Sequence, residues 1–207
     1  MTAPSPHPPS PQPPVSTTAR TEAQGGDRRL PGDIDMWVMV LGDLFFFGCY
    51  FIVYMVFRAQ SVEEFSAAQR HLHIGVGVVN TVVLLTSSLF AARAVIAVRE
   101  GALDGARRLL WATGGCGVLF VLLKIYEWHD GLSHGRTIHD EFFSYYYVFT
   151  GLHLVHLALG LLVLGVALRE LRAVGRQRPT IVEQSVLFWH MIDLLWVVIF
   201  ALLYLMR

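Results

Sequence analysis

The sequence contains few charged residues, two cysteines and a single lysine. Of its 207 residues only 15% are charged and 54% are hydrophobic, whereas soluble domains carry about 25% charged residues. This deficit excludes a surface built mainly for water, so most of the chain is predicted to lie in a membrane. Sixteen acidic residues balance sixteen basic ones, which removes the electrostatic basis for binding nucleic acid.

The two cysteines are not spaced for a disulfide or a metal site, and the prolines are concentrated at the N-terminus. Cys49 and Cys116 lie far apart in apolar runs, so we interpret them as packing residues and not as a disulfide or a thiolate metal site. Eight of the nine prolines fall within residues 1–35. This segment has no apolar core and no apolar signal-peptide region, and it is predicted to be a disordered, proline-rich arm.

Residues 36–207 contain five apolar stretches separated by short polar connectors. Each stretch has roughly 20 or more mostly apolar residues, enough to cross a hydrocarbon layer of about 30 Å as a helix. The fold class predicted from this pattern is all-α, an integral membrane bundle of five transmembrane helices. The predicted spans are Met36–Phe57, His73–Val98, Leu109–Trp128, Phe142–Leu168 and Gln184–Met206.

Arginine is distributed unevenly between the two sides of this bundle. Eleven arginines lie in the arm and around the second and fourth connectors, namely Arg20, Arg28, Arg29, Arg93, Arg99, Arg107, Arg108, Arg169, Arg172, Arg176 and Arg178. The opposite side has four, namely Arg58, Arg70, Arg136 and Arg207. The positive-inside rule therefore predicts a bacterial-type cell-membrane protein with a cytoplasmic N-terminus and an external C-terminus.

Several ionisable residues lie inside the apolar spans, where each costs at least ~2.5–3.5 kcal/mol on insertion scales. They are Asp43, Lys124, Glu127, His153, His156, His190 and Asp193. Lys124, the only lysine, precedes Glu127 by three residues, a spacing that allows the two to pair on one helix face. Because Glu127 is near the end of its span, it is alternatively able to reach the lipid headgroups.

The helical rise of ~1.5 Å per residue places several of these groups at one depth. Asp43 and His190 both lie about 10 Å from the inner surface on this estimate, with His156 and Asp193 within about one turn. Ser87 and Ser88 fall at the same level. Three interpretations remain open for this polar layer: histidine ligands for haem or copper, acidic relays on an ion pathway, or structural contacts between helices, lipids and a partner subunit.

Strings from four of the spans resemble subunit III of the haem-copper oxidases, the cytochrome c and quinol terminal oxidases. The most specific is W-H-x-x-D-x-x-W at Trp189, His190, Asp193 and Trp196. Supporting strings contain Thr150, Gly151, His153, His156 and Gly160, then Tyr126 and Glu127, then Asn80, Thr81, Ser87 and Ser88. Asp43 also falls at the position of a membrane carboxylate in that family. The resemblance covers essentially residues 31–207.

This resemblance implies a subunit with no redox centre of its own, which packs on a catalytic subunit that holds haem and copper, binds phospholipid and helps to sustain proton uptake. In this view Asp43, Ser87, Ser88, Glu127, His153, His156, His190 and Asp193 are structural or lipid-facing groups, with no catalytic, cofactor or metal role. The chain lacks the two N-terminal helices of the seven-helix form. It looks most similar to a five-helix branch associated with nitric oxide reductases.

Two alternatives to an oxidase subunit stay open. One is an accessory protein of a nitric oxide reductase, and the other is a free-standing carrier of a small molecule or ion. A carrier usually has internal repeats and helices broken by glycine or proline at the membrane midplane. No predicted span contains a proline, which favours the subunit. The electron donor of the complex, cytochrome c or quinol, is left open.

Overall fold

The computed structural model describes residues 34–69, 72, 74–134, 141–172 and 179–206, and these residues form α helices without any strand. Five of the helices are long and apolar enough to cross a membrane, which confirms the predicted all-α, five-span class. The helices are α1 (Ile34–Gln60), α2 (Val62–Gln69), α3 (Ile74–Arg99), α4 (Leu103–Ser133), α5 (Glu141–Glu170) and α6 (Pro179–Phe200), the last continued by a π-helical turn, Ala201–Leu205.

Most predicted span boundaries agree with the helices to within a few residues. The first helix begins at Ile34, two residues before the predicted start of the membrane domain. Residues 1–33 of the arm and His73, the predicted start of the second span, lie outside the described residues. The disorder of the arm therefore stays a prediction.

The largest difference concerns α4, which runs from Leu103 to Ser133, whereas the predicted span runs from Leu109 to Trp128. The extra turns contain polar residues. Hydropathy leaves these residues out of the predicted span, but they are compatible with a helix. Asp104 lies in the first turn, where a negative charge favours the helix dipole. Gly101 adopts φ +76° between α3 and α4, a conformation that glycine takes without the penalty of a side chain. The turn allows α3 and α4 to form the most extensive helix pair.

Helix α6 occupies the centre of the bundle and contacts α1, α3 and α5. It begins at Pro179, a residue favoured in the first helical turn because that turn has no intrahelical partner for its amide. It is the most buried of the five spans, while α1 is the least buried. The most specific sequence string therefore lies on the helix that holds the others together.

The connector between the first two spans contains the short helix α2, which the sequence analysis did not predict. Its Phe65 is buried against Tyr54 of α1 and Phe142 of α5. Gln69 at its end donates hydrogen bonds to the carbonyls of Leu202 and Leu203, at 3.3 and 3.1 Å. These carbonyls belong to the π-helical turn that follows α6. A side chain of the connector thus satisfies backbone acceptors at the end of the last helix.

Candidate functional site

The two tryptophans of the W-H-x-x-D-x-x-W string join α6 to α3. Trp189 Nε1 donates a hydrogen bond to Ser87 Oγ at 3.0 Å, and Trp196 Nε1 donates to Thr81 Oγ1 at 3.0 Å. Both indoles are fully buried, so each polar N–H needs a partner inside the protein. Ser87 in turn donates to the carbonyl of Thr113 on α4, at 3.1 Å. The string therefore supplies contacts that link three helices.

Glycines on both sides make room for Trp189. A Cβ atom built on Gly117 of α4 would lie 2.7 Å from Trp189 Cη2, and one built on Gly160 of α5 would lie 3.1 Å from Trp189 Cε3. The same atom on Gly160 would lie 2.6 Å from Cδ1 of Ile192. These distances are shorter than van der Waals contact, so α4 and α5 approach α6 this closely only because both positions lack a side chain.

His190 pairs with Ser88 of α3. Its Nδ1 lies 2.7 Å from Ser88 Oγ. Asp193 is buried, yet among the described residues neither carboxyl oxygen has a hydrogen-bond partner within 3.5 Å. Of the groups that the helical rise places at one depth, Ser88 and His190 are therefore in direct contact.

Asp43 of α1 lies beside His156 of α5, with 3.5 Å between Asp43 Oδ2 and His156 Nε2. His156 Nδ1 is 2.8 Å from the carbonyl oxygen of Leu152. Because that carbonyl only accepts, Nδ1 carries the hydrogen and Nε2 is the atom that faces the carboxyl group. Phe47 packs its ring edge-on against the imidazole, at a centroid distance of 5.3 Å. This polar pair adds to a series of aromatic contacts that attach α1 to α5, among them Tyr50 and Phe51 against Phe149.

A second polar cluster lies around Lys124 on α4, nearer the C-terminal end of α6. Lys124 Nζ donates hydrogen bonds to Glu127 Oε2 at 2.8 Å, to the Tyr204 hydroxyl at 2.8 Å and to the Tyr146 hydroxyl at 3.2 Å. The Tyr204 hydroxyl donates to Glu127 Oε1 at 2.6 Å. All three ammonium hydrogens therefore have an acceptor, and both carboxylate oxygens of Glu127 have a donor.

The rings around Lys124 add cation–π contacts to this cluster. The Nζ atom lies 4.8 Å from the ring centroid of Tyr146, 5.0 Å from that of Trp196 and 5.3 Å from that of Tyr204. All three distances are within the range of about 6 Å in which a ring attracts a cation. The cluster, Lys124 with Glu127, Tyr146, Trp196 and Tyr204, thus compensates a fully buried charge with residues from α4, α5 and the end of α6.

Residues 32–207 match the family described as cytochrome c oxidase subunit III. The chain belongs to the cytochrome c oxidase subunit III family. It is 29% identical to the cytochrome c oxidase subunit 3 of Thermostichus vulcanus over 177 residues, which cover 84% of this chain and 86% of the relative. It is 30% identical to that of Synechocystis over 159 residues, with coverages of 75% and 67%. A probable cytochrome c oxidase subunit 3 of Mycobacterium tuberculosis (strain ATCC 25618 / H37Rv) is 29% identical over 174 residues, with coverages of 82% and 85%.

Membership of the subunit III family, together with five apolar helices, identifies a multi-pass membrane protein. Within the described part of the chain, no three His, Cys, Asp or Glu side chains lie together in a metal-binding group. The imidazoles of His156 and His190 instead contact a carboxyl group and a hydroxyl group of other helices.

The structure divides the predicted polar layer into separate groups. Asp43 contacts His156, and Ser88 contacts His190, but no hydrogen bond or ion pair in the described ranges joins one pair to the other. Glu127 belongs to the Lys124 cluster and is only 7% exposed. The alternative that Glu127 reaches the lipid headgroups is therefore wrong, because both of its carboxylate oxygens are bonded inside the bundle.

His153 differs from His156 and His190 in its surroundings. It is fully buried, and its ring lies 5.5 Å from that of Phe120 and 5.2 Å from that of Trp196, centroid to centroid. Neither ring nitrogen has a hydrogen-bond partner among the described residues. The i, i+3 spacing puts His153 and His156 near one another on α5, but the first faces the core while the second faces α1.

Sequence reasoning missed three partners in the Lys124 cluster: Tyr146, Trp196 and Tyr204. The signal for a buried cluster was the single lysine itself, because a lone ammonium within an apolar span requires compensating groups. The pairing with Glu127 followed from their spacing. The tyrosines are 22 and 80 residues from Lys124 in sequence, so no local pattern indicates them.

Proposed function

We propose that this chain is a non-catalytic subunit of a haem-copper terminal oxidase, and that it packs against and stabilises the catalytic subunit that carries haem and copper. The observation that carries the proposal is the use of its polar side chains between helices of the same chain. Trp189 binds Ser87, Trp196 binds Thr81, and His190 binds Ser88. A layer used in this way supports a rigid accessory bundle.

Phospholipid binding and support of proton uptake are further parts of this proposal. The apolar face of α1 favours a lipid contact, since Phe45 and Phe46 are 73% and 76% exposed and carry no polar atom that requires water. The role in proton uptake rests on the family resemblance. The arginine distribution supports a cytoplasmic N-terminus and an external C-terminus, in which case the arm would face the cytoplasm.

Affinity purification of the tagged protein in a mild detergent tests this function. We expect a haem-copper catalytic subunit to co-purify in a constant ratio, and the visible haem spectrum and the copper to remain with that partner when this chain is dissociated. If a nitric oxide reductase co-purifies in a constant ratio instead, this chain is an accessory protein of that enzyme and not an oxidase subunit. A chain that purifies alone and carries a solute across vesicle membranes would overturn the proposal.

Haem content gives a second, independent readout. A Soret band that persists after all partner subunits are removed, and that disappears in His153→Ala or His190→Ala, would show that this chain is itself a redox subunit. We expect no such band, because His190 is bonded to Ser88 and the His153 ring is enclosed by Phe120 and Trp196.

A further inference from the structure

A groove of about 190 Å³ separates α1 from α6. Seven of the side chains that line it are apolar or aromatic, and the eighth is the imidazole of His190; the lining residues are Met36, Trp37, Val40, Leu44, Leu187, His190, Met191 and Leu194. No side chain with a permanent charge is among them. A ligand that fits this lining is therefore uncharged, because burying an isolated ion against apolar walls is strongly unfavourable.

His190 offers one hydrogen-bonding atom to such a ligand. Its Nδ1 is bonded to Ser88 Oγ at 2.7 Å, while its Nε2 has no hydrogen-bond partner within the described residues. When the Ser88 hydroxyl donates to Nδ1, the hydrogen of the neutral imidazole is on Nε2. His190 then presents an N–H donor to the groove, and this donor requires an acceptor such as a carbonyl oxygen.

The level of His190 in the bundle restricts the source of that acceptor. The ion pair between Arg99 and Glu183, at 2.8 Å, is partly exposed at one end of α3 and α6. His190 is seven residues further along α6 than Glu183, which is about 10 Å at the helical rise. A phospholipid has no hydrogen-bond acceptor this far below the level of the charged groups, because its ester oxygens lie near the headgroups and its acyl chains are purely hydrocarbon. The matching ligand has an apolar body and a carbonyl that enters the hydrocarbon layer.

We propose that the groove between α1 and α6 binds the ring of an isoprenoid quinone, with one ring carbonyl accepting a hydrogen bond from His190 Nε2. A quinone is neutral, dissolves in the bilayer interior and carries its carbonyls on a flat ring at one end of an apolar tail. Pockets that enclose a whole drug-sized ligand usually measure about 300–1,000 Å³. The smaller groove therefore holds the ring, and the tail lies in the surrounding hydrocarbon.

Photoaffinity labelling of the intact complex in its native membranes tests this site. The probe is an azido-substituted ubiquinone with a short alkyl tail, and labelled peptides are identified by mass spectrometry. We expect label on residues 36–44 and 187–194 of this chain. Excess decylubiquinone should displace it, whereas an equal excess of methyl palmitate should not. Label displaced equally by methyl palmitate would indicate an acyl-chain site, and label found only elsewhere in the complex would also overturn the proposal.

Two variants and one control localise the binding. His190→Leu removes the donor and should reduce labelling by about fivefold, which corresponds to about 1 kcal/mol. Leu194→Trp fills the groove and keeps His190, so it should abolish labelling even if the His190 variant does not assemble. Leu162→Trp places the same ring on an exposed position of α5 and should label as the wild type does. Unchanged labelling in assembled Leu194→Trp complexes would refute the site, whatever partner the complex contains.

Discussion

The ammonium of Lys124 and the carboxylate of Glu127 form an ion pair of 2.8 Å on one face of α4, and both side chains are almost completely removed from the surface. Tyr204 bonds to both groups, as donor to Glu127 and acceptor from Lys124. A buried pair of this kind is satisfied only as long as both partners are present.

Lys124→Met is expected to destabilise the protein, because it leaves the Glu127 carboxylate without its compensating charge. Loss of one partner of a buried pair costs about 3–5 kcal/mol, and denaturation in mild detergent measures it. Lys124→Met combined with Glu127→Gln should recover much of this loss, since the amide still accepts from Tyr204. Arg107→Met breaks an exposed pair with Asp104 and should change stability by less than about 1 kcal/mol. A double variant as unstable as Lys124→Met would contradict this account.

Gly160→Ala is expected to loosen the packing of α5 on α6. The new methyl group would lie 2.6 Å from Ile192 and 3.1 Å from Trp189, and overpacking of this kind typically costs about 1–3 kcal/mol. Gly165→Ala on the same helix is the matched control, because a Cβ atom there meets nothing within 4 Å. Alanine favours a helix over glycine by up to about 1 kcal/mol, so the control should be neutral or stabilising. Thermal denaturation of the two variants in parallel gives the comparison.

Asp43→Ala removes the partner of His156 and should weaken the attachment of α1 to α5. If this chain is an accessory subunit, the intact complex should begin turnover at the wild-type rate and then lose activity sooner. Initial rate and decay of activity are measured in the same preparation, with Asp43→Asn as a control that retains a hydrogen-bonding group. An initial rate lowered by more than about tenfold, or ~1.4 kcal/mol of barrier, in a spectrally normal complex would indicate a catalytic or carrier role instead.

Single cysteines test the orientation of the bundle. In a chain with Cys49→Ala and Cys116→Ala, Ser133→Cys at the end of α4 should react with an impermeant thiol reagent added to intact cells. Gly175→Cys, in the arginine-rich connector before α6, should react only after the cells are opened. The physical reason is the excess of arginine on the side that contains Gly175, because the positive-inside rule assigns the arginine-rich side to the cytoplasm. The reverse pattern would invert the topology.

Some contacts of the site are local and were predictable, while others depend on the rotation of each helix. The Lys124 and Glu127 pair follows from an i, i+3 spacing within one helix. The helical rise placed Asp43 at the same depth as His156, His190, Asp193 and two serines, and in the structure its side chain lies beside that of His156. Depth comes from the rise along a helix, but the direction in which a side chain points also requires the angle of rotation about the helix axis, which a single span does not define.

The sequence by itself determined the membrane class, the number of spans and the family, because long apolar runs and the W-H-x-x-D-x-x-W string are properties of consecutive residues. Only the tertiary structure decided which polar groups meet. Trp189 fits against Gly117 and Gly160, and this close packing sets the rotation of α6 relative to α4 and α5. The same packing brings Tyr204, 80 residues away in sequence, to Lys124. Such partners are fixed by side-chain shape across helices, and no pattern within one helix contains that information.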